Sequence, residues 1–172
     1  VTSTWNISFA ALEKSSRQLL NLCAYMGADN IPVNFFVEMR DKLPAPLTDD
    51  LSRQLTLNRV VTGLRTYSLT SGTVEYIHIH RLVQEVIRKY HEFEDVNNYE
   101  KNRWLQLDFS ILDQYLPDSC EEPNSAFRFM QIAIHAESIA DYYSMFTKTE
   151  HNKLKLANVY NKIGQCYDDC GI

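Results

Sequence analysis

Two histidines two residues apart, His78 and His80, are the side chains in this sequence best placed to do chemistry. They lie in the run VEYIHIHRLVQEVIR, residues 74–88. Its first part alternates, with Val74, Tyr76, His78 and His80 on one face and Glu75, Ile77 and Ile79 on the other. From Arg81 the period becomes helical, with Leu82, Val83, Val86 and Ile87 as an apolar stripe and Arg81, Glu85, Arg88 and Lys89 toward solvent. A strand therefore runs straight into an amphipathic helix, and His80 stands at the junction. An imidazole N–H beside the free N–H groups of a helix start can donate to an anion such as phosphate. The pair could also ligate a metal, but no third ligand is near in sequence.

Other chemistry is hard to find. There is no G-x-x-x-x-G-K-[ST] loop, and Gly27, Gly63, Gly72, Gly164 and Gly171 are isolated. Asp49-Asp50 and Asp168-Asp169 are paired carboxylates at helix ends, where capping and solvation account for them. No nucleophile has an adjacent base, so the chain is expected to be non-catalytic. Cys23, Cys120, Cys166 and Cys170 lack disulfide-framework or zinc spacing and read as reduced thiols of a cytoplasmic protein.

The elements that must position His80 are helical. A first helix spans much of Val1 to Ala28, with Ser15 or Ser16 as an N-cap and Gly27 left-handed at its end. Ile31-Pro32 opens a second, carrying Phe35, Phe36 and Met39 inward. A third runs from Thr48 to Arg65, burying Leu51, Leu55, Leu57, Val60, Val61 and Leu64. Two short extended runs turn around Ser71-Gly72 as a hairpin. The helix from Arg81 to about Tyr90 follows. Three helices and then a hairpin is the winged-helix arrangement. Glu92–Asp95 reads as a charged linker and Asn97-Asn98 as a cap. The back half has no strand signal and reads as antiparallel helical hairpins over Tyr99–Tyr115, Phe127–Phe146 and Leu154–Cys170.

The 172 residues are enough for one large domain or two small ones, and 45% are hydrophobic. No apolar run approaches the roughly 20 residues of a membrane span, and there is no signal-peptide pattern. A net charge of −5 weighs against general nucleic-acid affinity. The helix 51–65 nevertheless presents Arg53, Gln54, Asn58, Arg59 and Arg65, which makes DNA recognition an alternative function. A second is a protein-interaction module in the aromatic-rich back half.

Several motifs occur together in order: Thr4-Trp5-Asn6-Ile7-Ser8-Phe9, Leu19–Leu22, Ile31-Pro32, Tyr67-Ser68-Leu69 and Ile79-His80-Arg81-Leu82-Val83-Gln84. This order resembles the winged-helix segment of NB-ARC proteins, signal-transduction nucleotidases of the STAND class. Tyr160-x-x-Ile163-Gly164-x-x-Tyr167 resembles the first helix of a tetratricopeptide repeat. His135-Ala136 is similar to a pair in the connecting region of such proteins.

The resemblance implies a winged helix over 1–91, a helical connector over 92–150, and the first helix of a repeat array over 151–172, continuing beyond Ile172. It implies that His80 contacts the phosphate of ADP held by a nucleotide-binding domain elsewhere in a longer protein. Ile79, His80 and Arg81 fill the positions of the family's Met-His-Asp motif, with Arg81 in place of the Asp. ADP or ATP with Mg²⁺ would belong to that full-length protein and no cofactor to this fragment. Its partners would be the intramolecular NB-ARC domain and a protein or peptide ligand of the repeats, with oligomerisation on activation. Neither membrane nor nucleic acid is implied.

Overall fold

The computed structural model describes residues 8–93, 99–147 and 149–172, together with the side chains of all of these except 93 and 99–102. The chain is mainly helical with one small antiparallel sheet. In order it forms α1 (Lys14–Cys23), β1 (Ile31–Pro32), α2 (Val33–Glu38), a 3₁₀ turn (Arg40–Lys42), α3 (Leu47–Leu51), α4 (Gln54–Thr66), β2 (Thr70–Gly72), β3 (Tyr76–Ile79) and α5 (Arg81–Phe93). The helices α6 (Tyr99–Tyr115), α7 (Pro123–Phe146) and α8 (Glu150–Cys170) follow. Two compact units result. The first holds residues 1–24 and 28–89, the second Tyr25–Gly27 and 90–172.

In the first unit α1 buries Leu19, Leu20, Leu22 and Cys23 against Leu47 and Leu51 of α3 and Val60, Val61 and Leu64 of α4. Ser15 and Ser16 are buried inside α1 rather than capping it, since the helix begins at Lys14 with Glu13 before it. The Ser16 hydroxyl donates to Val60 O at 3.0 Å. Gly63 permits this approach, because a Cβ there would come within 2.9 Å of Ser16 Oγ. Gln18 donates to Ala45 O and accepts from Leu47 N–H, so one buried amide satisfies both polar groups of the turn leading into α3.

Four local expectations are corrected. The α1 helix ends at Ala24 in ordinary helical conformation, and the left-handed residue of the following turn is Asn30, at φ 56°, not Gly27. Ile31-Pro32 is a strand, and α2 begins only at Val33. The expected third helix breaks at Ser52-Arg53 into α3 and α4, which leaves Leu55 83% exposed on the first turn of α4. Glu92 and Phe93 belong to α5; Glu94, Asp95, Asn97 and Asn98 lie outside the described residues.

The sheet has order β1-β3-β2, so β3 is central, pairing Ile31 with Ile77 on one side and Thr70 with Ile79 on the other. The turn lies at residues 73–75, one step beyond Ser71-Gly72. The Thr73 hydroxyl accepts from the N–H groups of Glu75 and Tyr76 and closes it. Gly72 has φ +110°, and a Cβ there would lie 2.2 Å from Tyr76 O. Gly72→Ala is therefore expected to destabilise the first unit by about 2–3 kcal/mol, read as a lower urea midpoint at unchanged slope.

The second unit is built on α7, with α6 and α8 packed against it. Phe109 and Tyr143 stack at 3.7 Å between centroids, and Phe129 meets the Tyr167 ring edge at 5.0 Å. Two of the buried ionisable groups in this unit, Asp108 and His91, bear on its response to pH. Asp108 on α6 is fully buried and its carboxylate has no hydrogen-bond partner among the described residues, so burial pushes its pKa well up. His91 is buried against the Tyr25 hydroxyl, 3.0 Å from Nδ1, and burial pushes it down to about 4.

Their pH effects have opposite sign. Folded Asp108 holds a proton that the unfolded chain releases above about pH 4, so it lowers stability as pH rises, by up to about 1.4 kcal/mol per unit. Folded His91 lacks a proton that the unfolded chain binds below 6.5, so stability falls as pH drops from 6.5 toward 4. The two slopes oppose each other in that window. Asp108→Asn is expected to be more stable than wild type at pH 7, with a gap that grows as pH rises above about 4, the ordinary carboxylate range, in urea titrations.

Candidate functional site

The site grows out of β3. Ile77 and Ile79 are buried, while Tyr76 and His78 face outward. The strand ends at Ile79, whose N–H donates to Ala28 O at 2.8 Å, and the next residue, His80, is exposed. The α5 helix starts at once. The His80 carbonyl accepts from Val83 and Gln84 N–H, and its ring Nδ1 accepts from Leu82 N–H at 3.2 Å. His80 is thus the N-cap of α5, its imidazole nitrogen standing where a Ser or Asp oxygen usually does.

That bond fixes the tautomer. With Nδ1 accepting, the proton of the neutral ring sits on Nε2, which remains as a donor at a helix N-terminus. His78 has the same arrangement, its Nδ1 accepting from Asn30 N–H at 3.2 Å with an Asp29 oxygen 3.6 Å away. A metal on either Nε2 would require the other tautomer and would cost each backbone N–H its acceptor. Among the described residues no group of three His, Cys, Asp or Glu side chains could hold a metal ion.

The start of α5 is anchored by side chains. Gln84, buried, donates to Cys23 O at 2.9 Å, and the Arg88 guanidinium donates to Ala24 O. Carbonyls at the end of α1, which have no partner within that helix, are satisfied this way. Arg88 is therefore not a solvent-facing residue. Leu82, placed on the buried stripe by its spacing, is 64% exposed beside the exposed Arg81. Spacing alone pointed to neither anchor, because long polar side chains reach acceptors that periodicity does not reveal.

The candidate DNA-reading side chains are largely engaged within the unit. Arg53 is exposed at the N-cap of α4. Asn58 accepts from Gln54, and Arg59 lies 3.2 Å from Glu13 and 3.3 Å from Asp50. Arg65 donates to Gly72 O at 3.1 Å and to the Thr62 hydroxyl. The paired acids are structural as well. Asp50 accepts from Ser15 and Arg59, and Asp169 from Cys120 N–H, Ser119 and Gln165, which holds its carboxyl low.

On α8, Ile163 is buried, and space is open around Gly164. The Tyr160 and Tyr167 hydroxyls donate to Asp141 and Glu137 of α7, both at 2.8 Å. Burial, reinforced by these carboxylates, pushes both phenols up to about 12. The four cysteines are free thiols, and burial pushes Cys120 up to about 12. No described helix is long and apolar enough to cross a membrane.

Residues 7–95, just over half of the chain, match the family described as a domain of unknown function, DUF7779. The chain belongs to that family. No curated protein and no solved structure matches it. The DUF7779 match takes in everything from α1 through α5, and His80 with its anchors lies within it; Thr4–Asn6 of the opening motif precede it, and residues 1–7 lie outside the described residues.

Capping and donation use different atoms of the His80 ring, so substitution can separate them. His80→Ala is expected to cost about 1 kcal/mol through loss of the cap, whereas His80→Asn keeps a capping oxygen and should stay within about 0.5 kcal/mol of wild type. Thermal unfolding of the two variants measures the difference.

Proposed function

We propose that this chain is the non-catalytic regulatory portion of a STAND/NB-ARC nucleotide switch. In this reading the first unit is a winged helix, the helices α6 and α7 are a connector, and α8 opens a tetratricopeptide array that senses a protein or peptide ligand. The observation that carries the reading is His80: an exposed imidazole at the end of a central strand, capping the next helix through Nδ1 and left with Nε2–H to donate. The order helix, strand, helices, hairpin, with a β1-β3-β2 sheet, supports it as the topology expected of a winged helix.

The fit to a nucleotide is partial by design. His80 can supply one donor to a phosphate oxygen, and the sequence has no glycine-rich cradle to supply the rest. ADP, or ATP with Mg²⁺, would be held by a separate nucleotide-binding domain of the longer protein, and Ile79 and Arg81 would flank the contact. A charge-assisted hydrogen bond of roughly 1.5–3 kcal/mol made only in the ADP-bound closed form biases a two-state equilibrium by more than about tenfold. Ligand capture by the repeats, or exchange to ATP, would release the contact and permit oligomerisation in the cytoplasm. The internal engagement of Asn58, Arg59 and Arg65 disfavours the DNA-reading alternative.

The decisive variant is His80→Asn, which spares the cap. In the full-length protein it should release a fluorescent ADP analogue about tenfold faster and raise the oligomeric fraction. Unchanged release would refute the contact. The 172-residue chain alone should show no tight ADP binding by calorimetry, and a micromolar site there would overturn the reading.

A further inference from the structure

The second unit contains a polar cleft that no part of the switch mechanism uses. It has a volume of about 430 Å³ and lies between α6 and α8, with Tyr143 of α7 contributing to its lining. That is the size range of ligand sites, roughly 300–1,000 Å³. Five groups in it have no hydrogen-bond or ion-pair partner among the described residues: the Gln106 and Asn152 amides, the Ser110 and Tyr143 hydroxyls and the Lys155 ammonium. Asp113, also at the cleft, already has Lys162 3.5 Å from its carboxylate, and Lys162 donates to its carbonyl at 3.0 Å. Among the described residues that line the cleft, Lys155 is thus the cation left for an incoming anion.

The aromatic pair decides the ligand class. Phe109 and Tyr143 border the cleft but stack on each other at 3.7 Å and are only 3% and 8% exposed. No ring face is on offer, so a nucleobase or sugar ring has nothing to stack on. Two primary amides instead present a donor and an acceptor each, the pattern that an extended peptide backbone repeats. A recess of about 30 Å³ adjoins the cleft between Leu105, Phe146 and Thr147, with room for about a methyl group.

We propose that this cleft binds an extended peptide segment, with a carboxylate of that segment paired to Lys155, its backbone to Gln106 and Asn152, and an alanine-sized side chain in the recess. The connector then shares partner recognition with the first repeat helix, since Gln106 lies on α6 and Asn152 and Lys155 lie on α8. This inference does not rest on His80 or on nucleotide.

The test is fluorescence anisotropy of the 172-residue chain with two end-blocked, fluorescein-labelled peptides, Gly-Ala-Glu-Ala-Gly and its Gln counterpart. The Glu peptide should bind saturably, and the Gln peptide about tenfold more weakly. Lys155→Met should weaken the Glu peptide by a similar factor, leave the Gln peptide unchanged and preserve the melting temperature, because Lys155 is exposed. Absence of binding, equal binding of both peptides, or displacement of the Glu peptide by a single-stranded oligonucleotide would each overturn the proposal.

Discussion

The first unit depends on how a strand becomes a helix without a loop. The first N–H groups of α5 need acceptors, and no Ser, Thr, Asp or Asn stands at the junction to provide one. The His80 ring fills that role toward Leu82, while Gln84 and Arg88, further along α5, satisfy Cys23 and Ala24 at the end of α1. The start of one helix and the end of another are thus completed by side chains of one short segment. The strand just before it is held by its own backbone, Ile79 N–H donating to Ala28 O, and His80 is left exposed at the junction.

The central strand was legible in the sequence because alternation and burial share a period, and Ile77 and Ile79 turn inward as the pattern requires. The strand β1 was not. Two residues are too few to show a period, and Pro32 looks like a helix start when only its fixed φ is considered. Its pairing with Tyr76 is a tertiary event. The break between α3 and α4 was hidden for a similar reason, since the leucines at 51, 55 and 57 suit one continuous helix until Arg53 adopts an extended conformation. The hairpin was foreseen but its turn was displaced, because the Thr73 hydroxyl captures two N–H groups and Gly72 takes a strand position that only glycine tolerates.

For the candidate site, sequence pattern located the histidine but not its bonding. A junction between periods marks His80, whereas the choice of Nδ1 as acceptor depends on ring orientation. Arg88 was misread for a physical reason: its aliphatic stem and polar head serve different surroundings, and a period-based pattern scores only the charge. In the second unit the three helical segments were legible from the sequence, though not which aromatics enter the core: Phe109 and Tyr143 stack there, while Phe127 and Tyr160 are exposed. The burial of Asp108 was not legible either, since a lone carboxylate on an amphipathic helix usually reaches solvent.

The His80 geometry also joins the proposed phosphate contact to the helix cap. A neutral ring with its proton on Nε2 can cap α5 and donate to an anion at once. A doubly protonated ring would carry a stronger donor but would place Nδ1–H against Leu82 N–H, turning a bond into a repulsion between two donors. The added charge would favour a bound phosphate while loosening the helix start that aims the ring. In the proposed switch, contact and cap are coupled through one imidazole. Within that switch the arrangement ties the donor Nε2 to the junction between β3 and α5, so that a displacement of the start of α5 would be felt at the phosphate contact.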